Sequence, residues 1–378
     1  MINNENKPLY MVIKDDLKMK ITMGEYSPEA QVPTEAELAE LYGVSRITSK
    51  RALVELEREG LIYRKRGSGS FVKQLGERED SGELVSPIIS MIVPFMASYS
   101  MPNNLKGASD YLDAHGYFLS IHNSDWSLKK ERELLTKLPK SGSRAIILYP
   151  VSSSGNIEIL SALHSNGYPI VTIDQYIDGL GITSVTSDNY AGGYETATRL
   201  IREGHTRIAY VSSISITYRS TVRDRYFGYC QAHRENGLTI DPEIVITDYY
   251  RQVNDQNARA FYSALLHDLM HKGVTAILTE NDYVGVELLK CALEMGIPVP
   301  EKVAIVGFDN EEMSQHLEVP LSTVEQNYYE IGYKAAELVV RMIYQDKSIE
   351  TRNVVPVNFI ERQSTRKQPK GIDDDSEN

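Results

Sequence analysis

Residues 38–53 of the chain, LAELYGVSRITSKRAL, decide how its N-terminal part folds. A helical run ends at Gly43, a short turn follows, and a second helical run begins after Ser45, a residue type suited to cap it. Two helices joined by so short a turn form a helix-turn-helix. The second run has basic residues at its start and glutamates at its end. Basic side chains at a helix N-terminus oppose the helix dipole, so this pattern indicates a surface selected for function.

The flanking sequence completes a small domain. An apolar stripe at i, i+4 spacing predicts a first helix over residues 8–23, and a capping-box pattern starts a second at Thr34. The third helix should end near Gly60, where glycine suits the residue after the last turn. Two short extended runs then surround a turn in residues 61–73. The sequence predicts a small α+β winged helix-turn-helix domain over residues 1–74.

The turn itself, within YRKRGSGSFV at residues 63–72, allows two interpretations. A glycine-rich loop that cradles a nucleotide phosphate follows a strand and opens a helix. Here a second extended run follows, SFVK, and then a polar segment, so no helix N-terminus is available for a phosphate. Gly67 and Gly69 are better explained as turn residues that let the backbone approach DNA. Arg64 and its two basic neighbours would supply phosphate or minor-groove contacts.

Charge is distributed unevenly along the 378 residues, whose formal net charge is −12. Residues 1–73 hold 12 basic and 11 acidic residues, a net of +1, which leaves −13 for the remainder. Within residues 46–73 the balance is eight basic against three acidic, or +5. An acidic protein with one small basic region is the asymmetry expected of a nucleic-acid binder.

Composition also excludes several classes of protein. The two cysteines, Cys230 and Cys291, have no metal-type spacing, and the eight histidines show no zinc-type cluster, so we expect no metal site. The N-terminus lacks the apolar core of a signal peptide, and no apolar run approaches the roughly 18 residues of a membrane helix. We therefore expect a cytoplasmic protein that does not enter a membrane.

After residue 74 the pattern of polar and apolar residues changes. A polar segment at residues 75–86 predicts a linker, and the charged residues 365–378 predict a disordered tail. In between, residues 87–364 alternate between apolar strands and helices, which indicates parallel sheets in an α/β architecture large enough for two lobes. The strand candidates are residues 88–95, 117–124, 144–151, 169–175, 207–213, 244–250, 275–281 and 303–310.

The N-terminal run GEYSPEAQVPTEAELAELYGVSRITSKRALVELEREGLIYRKRGSGSFV resembles the winged helix-turn-helix of the GntR family of bacterial transcription regulators. The P-T-E start, V-S-R-x-T, A-L-x-x-L-E-x-E-G-L-I and G-x-G-x-F-V all appear in register. The resemblance implies DNA contacts from Ser45, Arg46, Thr48, Lys50 and Gly67, with Arg46 and Lys50 on base edges. Thr34, Arg51 and Arg66 are further candidates for DNA contacts. Two departures are Ala36, where a contacting arginine is common, and Ser49, where an apolar residue is usual.

The body of the chain, residues 87–364, resembles the two-lobed effector domain of the LacI family, which shares the fold of periplasmic sugar-binding proteins. The motifs are SDNYAGG, GHTRIA, TEND, VAIVGFDN and LSTVEQN, in that order. A sugar needs bidentate polar groups and an aromatic platform, and strand ends are placed to supply them. The resemblance implies effector contacts from Arg225, Asp282, Tyr249 and Gln326, with Tyr99, Asp125 and Asp174 as weaker candidates. For Trp126, the sole tryptophan, packing is favoured over ligand stacking.

The two resemblances together imply a homodimeric regulator that represses carbohydrate-utilisation genes. It would leave double-stranded operator DNA when a small sugar, L-arabinose or another pentose, is bound. No cofactor is expected. One rival is an aminotransferase-like regulator holding pyridoxal phosphate, which needs more chain than the body provides. Another is a transport receptor, against which the N-terminal domain and the absence of a signal peptide argue.

Overall fold

The computed structural model describes residues 8–22, 25–65, 68–73, 87–97, 100–346 and 348–366. The chain divides into two compact units, residues 1–88 with 113–118 and residues 89–112 with 119–378. The predicted linker, and all but the first two residues of the predicted tail, lie outside the described residues. No helix in the described ranges has both the length and the apolar character required to cross a bilayer.

The N-terminal domain consists of three helices and a hairpin, as predicted. The elements are α1 (Leu9–Thr22), α2 (Glu35–Leu41), α3 (Arg46–Arg58), β1 (Ile62–Lys65) and β2 (Gly69–Val72). The two strands pair antiparallel, with Ile62 opposite Val72 and Lys65 opposite Gly69. Buried apolar side chains from α1, α2 and α3 form the core of the domain, among them Ile13, Leu17, Leu38, Leu53 and Leu56.

Local capping fixes the turn between α2 and α3. The Thr34 hydroxyl accepts a hydrogen bond from the backbone N–H of Glu37, whose carboxylate accepts one from the Thr34 N–H, so the predicted capping box is present. Ser45 caps α3 through the backbone N–H of Thr48. Gly43 has φ +63°, a left-handed conformation that glycine adopts without steric cost. These short-range contacts end one helix and start the next within a few residues.

Ser49, the departure from the family pattern, has a structural role. Its side chain is fully buried, and its hydroxyl donates to the backbone carbonyl of Glu35 at 2.7 Å. A buried hydroxyl is tolerated because it is hydrogen-bonded. The bond connects α3 to the first turn of α2, so a serine can replace the usual apolar residue here.

The body contains the remaining elements. The helices are α4 (Ser100–Ala114), α5 (Leu128–Lys137), α6 (Ile157–Ser165), α7 (Asn189–Arg202), α8 (Ser220–Glu235), α9 (Ala258–His271), α10 (Asp282–Glu294) and α11 (Tyr328–Ile343). The strands are β3 (Ile88–Val93), β4 (Phe118–Asn123), β5 (Ile146–Leu148), β6 (Ile170–Ile173), β7 (Thr183–Ser187), β8 (Ile208–Val211), β9 (Val245–Ile246), β10 (Ala276–Thr279), β11 (Ala304–Val306), β12 (Thr323–Gln326), β13 (Arg352–Val355) and β14 (Val357–Ile360).

These elements form the two lobes that the strand–helix alternation predicts. The first lobe has a sheet of order β13-β7-β6-β5-β3-β4, and the second has a sheet of order β11-β10-β8-β9. Strands β5, β6 and β7 pair in parallel in the first sheet, as do β8, β10 and β11 in the second. The chain crosses between the lobes after β7, after β12 and between β13 and β14, where β12 and β14 pair antiparallel.

One strand candidate is largely wrong. Of residues 244–250 only Val245 and Ile246 form a strand, and short 3₁₀ turns lie on either side of it. Tyr249 and Tyr250 belong to the turn that follows, although aromatic residues favour strands. The segment ends at Asp248, which has φ +63°, a conformation incompatible with a continuing strand.

Helices α7 and α8 cross in such close contact that glycine is required at the crossing. A Cβ at Gly193 would lie 2.1 Å from the carbonyl oxygen of Arg225, and one at Gly228 would lie 2.1 Å from that of Tyr190. The obstructing atoms are backbone, which cannot move without displacing a whole helix. The crossing therefore also fixes the position of Arg225.

Replacing Gly193 by alanine should lower the free energy of unfolding by roughly 1–3 kcal/mol, the usual cost of overpacking. In an unobstructed helix the same change would stabilise by about 0.5–1 kcal/mol. Urea denaturation therefore tests the sign of the effect. The control is Glu195→Ala, an exposed position of the same helix, for which we expect a change within about 0.5 kcal/mol. A more stable Gly193→Ala protein would contradict the close crossing.

Candidate functional site

Helix α3 presents a basic surface at its N-terminal end. The side chains of Arg46, Ile47, Lys50 and Arg51 are exposed, whereas Ser49 and Ala52 face the core. Among the described residues neither Arg46 nor Lys50 has an ion-pair partner. The guanidinium of Arg51, by contrast, lies 4.0 Å from the centre of the Tyr10 ring. Arg46 and Lys50 are thus the cations of α3 that remain available to a ligand.

The predicted hydroxyl contacts lie beside these cations and take part in capping. The Ser45 and Thr48 hydroxyls are 2.9 Å apart, and the Thr34 hydroxyl donates to the Glu37 carboxylate at 2.8 Å. Each remains at least partly exposed, at the same end of α2 or α3. Arg66 and Gly67, the predicted contacts from the tip of the hairpin, lie outside the described residues.

The hairpin is attached to the helices by internal contacts. Arg64, expected from its position to contact phosphate, instead pairs with Glu57 at 3.1 Å and Glu35 at 3.7 Å. Gln31 donates from its side-chain amide to the carbonyl of Ser68 at 3.1 Å. These contacts hold the hairpin beside α2 and α3, which is the arrangement of a wing.

In the body, the most constrained polar side chain is Arg225 of α8. Its guanidinium is 5% exposed and donates to the Asn189 side-chain oxygen at 2.8 Å and to the backbone carbonyl of Glu280. It also lies 3.4 Å from the Asp309 carboxylate and 3.6 Å from the centre of the Phe308 ring. A guanidinium held on several sides is pre-oriented for bidentate hydrogen bonding.

Asp309, three residues after the end of β11, carries the carboxyl group that faces Arg225. Its Oδ1 accepts from the Gln326 amide at 2.6 Å, and the same amide nitrogen lies 2.9 Å from the Tyr328 hydroxyl. Burial raises the pKa of Asp309 to about 8, and the charge of Arg225 opposes that rise. Asp309 follows one strand and Gln326 ends another, so two strand ends bring these groups together.

The first lobe contributes Asp174, just after β6. Burial raises the pKa of its carboxyl group, the charges of Arg219 and Arg225 oppose the rise, and Tyr149 donates a hydrogen bond to it. Arg219, at the start of α8, lies 4.8 Å from the centre of the Trp126 ring, which stacks on Phe95. Two carboxylates and two arginines thus gather between the lobes.

Hydrogen bonds join the lobes beside this cluster. The Ser153 hydroxyl of the first lobe donates to the Tyr218 carbonyl of the second at 2.8 Å. The backbone N–H of Tyr176 donates to the Ser220 hydroxyl at 3.1 Å, and the Tyr176 hydroxyl donates to Asp224 at 2.8 Å. The segment that begins α8 therefore contacts the first lobe and also carries the arginines of the cluster.

The other predicted effector residues lie elsewhere. Tyr249 is 3% exposed and packs against Phe261 and Tyr262 in the core of the second lobe. Asp125 is on the surface, in an ion pair with Lys130. Tyr99 lies outside the described residues. The structure thus brings Asp174, Arg225 and Gln326 together. Tyr249 instead packs among aromatic side chains, and Asp125 forms an ion pair on the surface.

Asp282 is fully buried and already hydrogen-bonded on both oxygens. The backbone N–H of Glu311 donates to Oδ2 at 2.7 Å, and the Thr323 hydroxyl donates to Oδ1 at 2.6 Å. A Cβ at Gly307 would lie 2.0 Å from Oδ1, so only glycine leaves room for this carboxyl group. These contacts connect α10 to the segments after β11 and in β12.

The burial of Asp282 predicts a pH-dependent stability. Burial raises its pKa to about 7, against roughly 3.9 in an unfolded chain. The folded protein binds the extra proton between those values, so this group lowers the free energy of unfolding as the pH rises from about 4 to about 7. Asp282→Asn mimics the neutral acid and should remove that part of the slope. Denaturant titrations of both proteins across the window measure it, with the exposed Asp125→Asn as control. Parallel slopes in wild type and Asp282→Asn would contradict the assignment.

Four residues of the cluster were not among the sequence candidates: Asp309, Arg219, Tyr149 and Asn189. Signals for two of them were present. Asp309 follows the apolar residues of VAIVGFDN, and Asn189 follows aspartate at the start of a helix. Tyr149 also lies near the end of a strand candidate, but with 24 tyrosines in the chain its identity carried little information.

Comparison with known proteins identifies the family of each domain. Residues 9–72 match the model of bacterial regulatory proteins of the gntR family, and residues 197–365 match a periplasmic binding protein-like domain. The arabinose metabolism transcriptional repressor of Halalkalibacterium halodurans is 30% identical over 344 residues, covering 89% of this chain and 90% of that protein. The ribose operon repressor of Bacillus subtilis is 28% identical over 284 residues, covering 75% and 82%.

Solved structures show the same fold. The regulator CelR in complex with cellobiose matches with a TM-score of 0.64 at 22% identity, covering 88% of this chain and all of that one. The regulator CcpA of Lactococcus lactis matches with a TM-score of 0.66 at 23% identity, covering 74% of this chain and all of that one.

A GntR-type winged helix-turn-helix followed by a two-lobed periplasmic binding protein-like domain defines a DNA-binding transcriptional regulator and not an enzyme. The aminotransferase and transport-receptor alternatives are therefore rejected. The chain belongs to the same family of bacterial repressors as the H. halodurans protein.

Proposed function

We propose that the protein represses carbohydrate-utilisation genes and leaves its operator when a small neutral sugar occupies the cluster between the lobes. The supporting observation is the cluster of Asp174, Arg219, Arg225 and Asp309 between the lobes. Asp174 follows a strand of the first lobe and Asp309 follows a strand of the second, and both arginines belong to the segment that forms α8. Oriented donors and acceptors of this kind suit the hydroxyls of a sugar. The stacked rings of Phe95 and Trp126 offer an apolar surface nearby.

The charge of the cluster supports a neutral ligand. The Arg225 guanidinium already faces the Asp309 carboxyl group at 3.4 Å, so a phosphate would have to compete with that group for the arginine inside a desolvated site. Within this set we assign to Asp309 the hydroxyl-binding role predicted for Asp282, because Asp282 already has partners on both oxygens. We assign the aromatic platform to Trp126 in place of Tyr249 for the corresponding reason.

Release would follow from coupling between two sites. In a homodimer bound to two half-sites, lobe closure on the sugar would change the spacing or freedom of the two DNA-binding domains. A coupling free energy of about 1–3 kcal/mol is typical of such systems. The site of action is the cytoplasm, where operator DNA is available.

The identity of the sugar is suggested by two relatives. The H. halodurans relative is named for arabinose metabolism and the B. subtilis relative for the ribose operon, and the former spans more of this chain. We therefore propose L-arabinose first and D-ribose second.

A thermal-shift screen tests the proposal directly. At 100 times its dissociation constant, a ligand that binds only the folded protein adds about 2.7 kcal/mol of stability. The screen should compare L-arabinose, D-ribose, D-xylose, glucose and their phosphates, with Trp126 fluorescence as a second signal. We expect a neutral pentose to stabilise the protein and its phosphate to have no effect. Stabilisation by the phosphates alone would contradict a neutral ligand.

A further inference from the structure

Ile47 is the most exposed large apolar side chain of the described residues, at 80%. It lies in the first turn of α3, next in sequence to Arg46 and three residues before Lys50. Its β-branched side chain is not favoured in a helix and buries almost nothing within the domain. Neither helix propensity nor core packing therefore accounts for it.

The surroundings of Ile47 favour DNA over a protein partner. Protein-binding patches are contiguous apolar areas, but the next exposed apolar residue on this face of α3 is Val54, seven residues and about 10 Å along the axis. The positions around Ile47 are cationic, and Arg46 and Lys50 have no ion-pair partner among the residues described. An isolated aliphatic group between two available cations suits a groove lined by phosphates.

In the major groove, the 5-methyl group of thymine is the apolar feature that an aliphatic side chain can recognise. We propose that Ile47 contacts the methyl group of a thymine beside the base contacted by Arg46, and so specifies thymine at one position of each half-site. This inference rests on the proposed function, since it requires that α3 enter the major groove. It adds a specificity contact that none of the predicted DNA-binding residues supplies.

The test uses the full-length protein. An operator is first selected from a random duplex library, and each of its thymines is then replaced singly by deoxyuridine, which removes only the methyl group. At one thymine of each half-site the wild-type protein should lose about fourfold in affinity, as expected for one apolar carbon group. Ile47→Ala should bind the thymine duplex severalfold more weakly and should not distinguish it from the deoxyuridine duplex.

Two variants serve as controls. Leu41 at the end of α2 is 67% exposed and Val54 is 41% exposed, so Leu41→Ala and Val54→Ala remove apolar surface elsewhere on the domain. Both should keep the fourfold difference. A thymine preference that persists in Ile47→Ala, or the absence of any thymine with this effect, would overturn the inference while leaving the proposed function intact. If the selection enriches no sequence, the proposed function itself fails and the inference fails with it.

Discussion

Arg46→Ala should weaken operator binding by roughly 1–3 kcal/mol, or about 5- to 150-fold, and should reduce the preference for operator over unrelated DNA. Arg46 is exposed in the first turn of α3, and its guanidinium has no ion-pair partner in the described part of the chain. No residue that the structure describes therefore competes for its five donors, which suit the O6 and N7 acceptors of guanine. Titration of labelled operator and of scrambled duplex at a fixed salt concentration measures both effects.

Arg58→Ala is the matched control, because it removes the same charge from the other end of the same helix. The Arg58 side chain is 76% exposed and pairs with Glu55 at 2.7 Å. We expect little change in operator preference. Equal losses from the two variants would show that charge alone matters, and unchanged binding by Arg46→Ala would remove it from the interface.

Arg225→Ala should abolish release by the sugar while leaving operator binding intact. Truncating one partner of a buried, hydrogen-bonded charge pair typically costs about 2–5 kcal/mol in affinity. The guanidinium of Arg225 holds Asn189, the end of β10 and Asp309 together, so both its own contacts and the orientation of Asp309 would be lost. Operator titrations with and without saturating sugar measure the response.

Arg225→Lys keeps the positive charge but loses the planar guanidinium group and its fixed arrangement of donors. We expect this variant to fold and to bind sugar only weakly. Arg234→Ala, an exposed position in the last turn of α8, should respond to sugar as the wild type does. A fully responsive Arg225→Lys protein would show that charge without geometry is enough. A fully responsive Arg225→Ala protein would remove this residue from the site.

The N-terminal domain could be predicted closely from sequence because its determinants are local. Ser45 and Thr34 cap helices whose first residues lie immediately after them, and Gly43 ends a helix through its own φ. Such contacts span a few residues, so the helix bounds differ by only one or two positions from the prediction. The role of Ser49 depends on a bond to Glu35, 14 residues away, and was not foreseen.

The fold class of the body could be predicted from the sequence, but several of its strands and the cluster between its lobes could not. Strand β7, TSVTS, is composed mainly of serine and threonine, yet every one of its residues is buried between neighbouring strands. Pro356 separates β13 from β14, and each strand alone is too short to be recognised. The cluster between the lobes joins residues 174, 225 and 309, which only the tertiary fold brings together.

Control of operator binding by sugar is tested most directly by two pairs of affinities: that of the protein for the operator with and without sugar, and that of the protein for the sugar with and without operator. Coupling between two sites is reciprocal, so the two ratios must be equal. We predict that sugar weakens operator binding by about 5- to 150-fold, and that operator weakens sugar binding by the same factor. A sugar that binds the protein while operator affinity stays unchanged would rule out control of operator binding by that sugar.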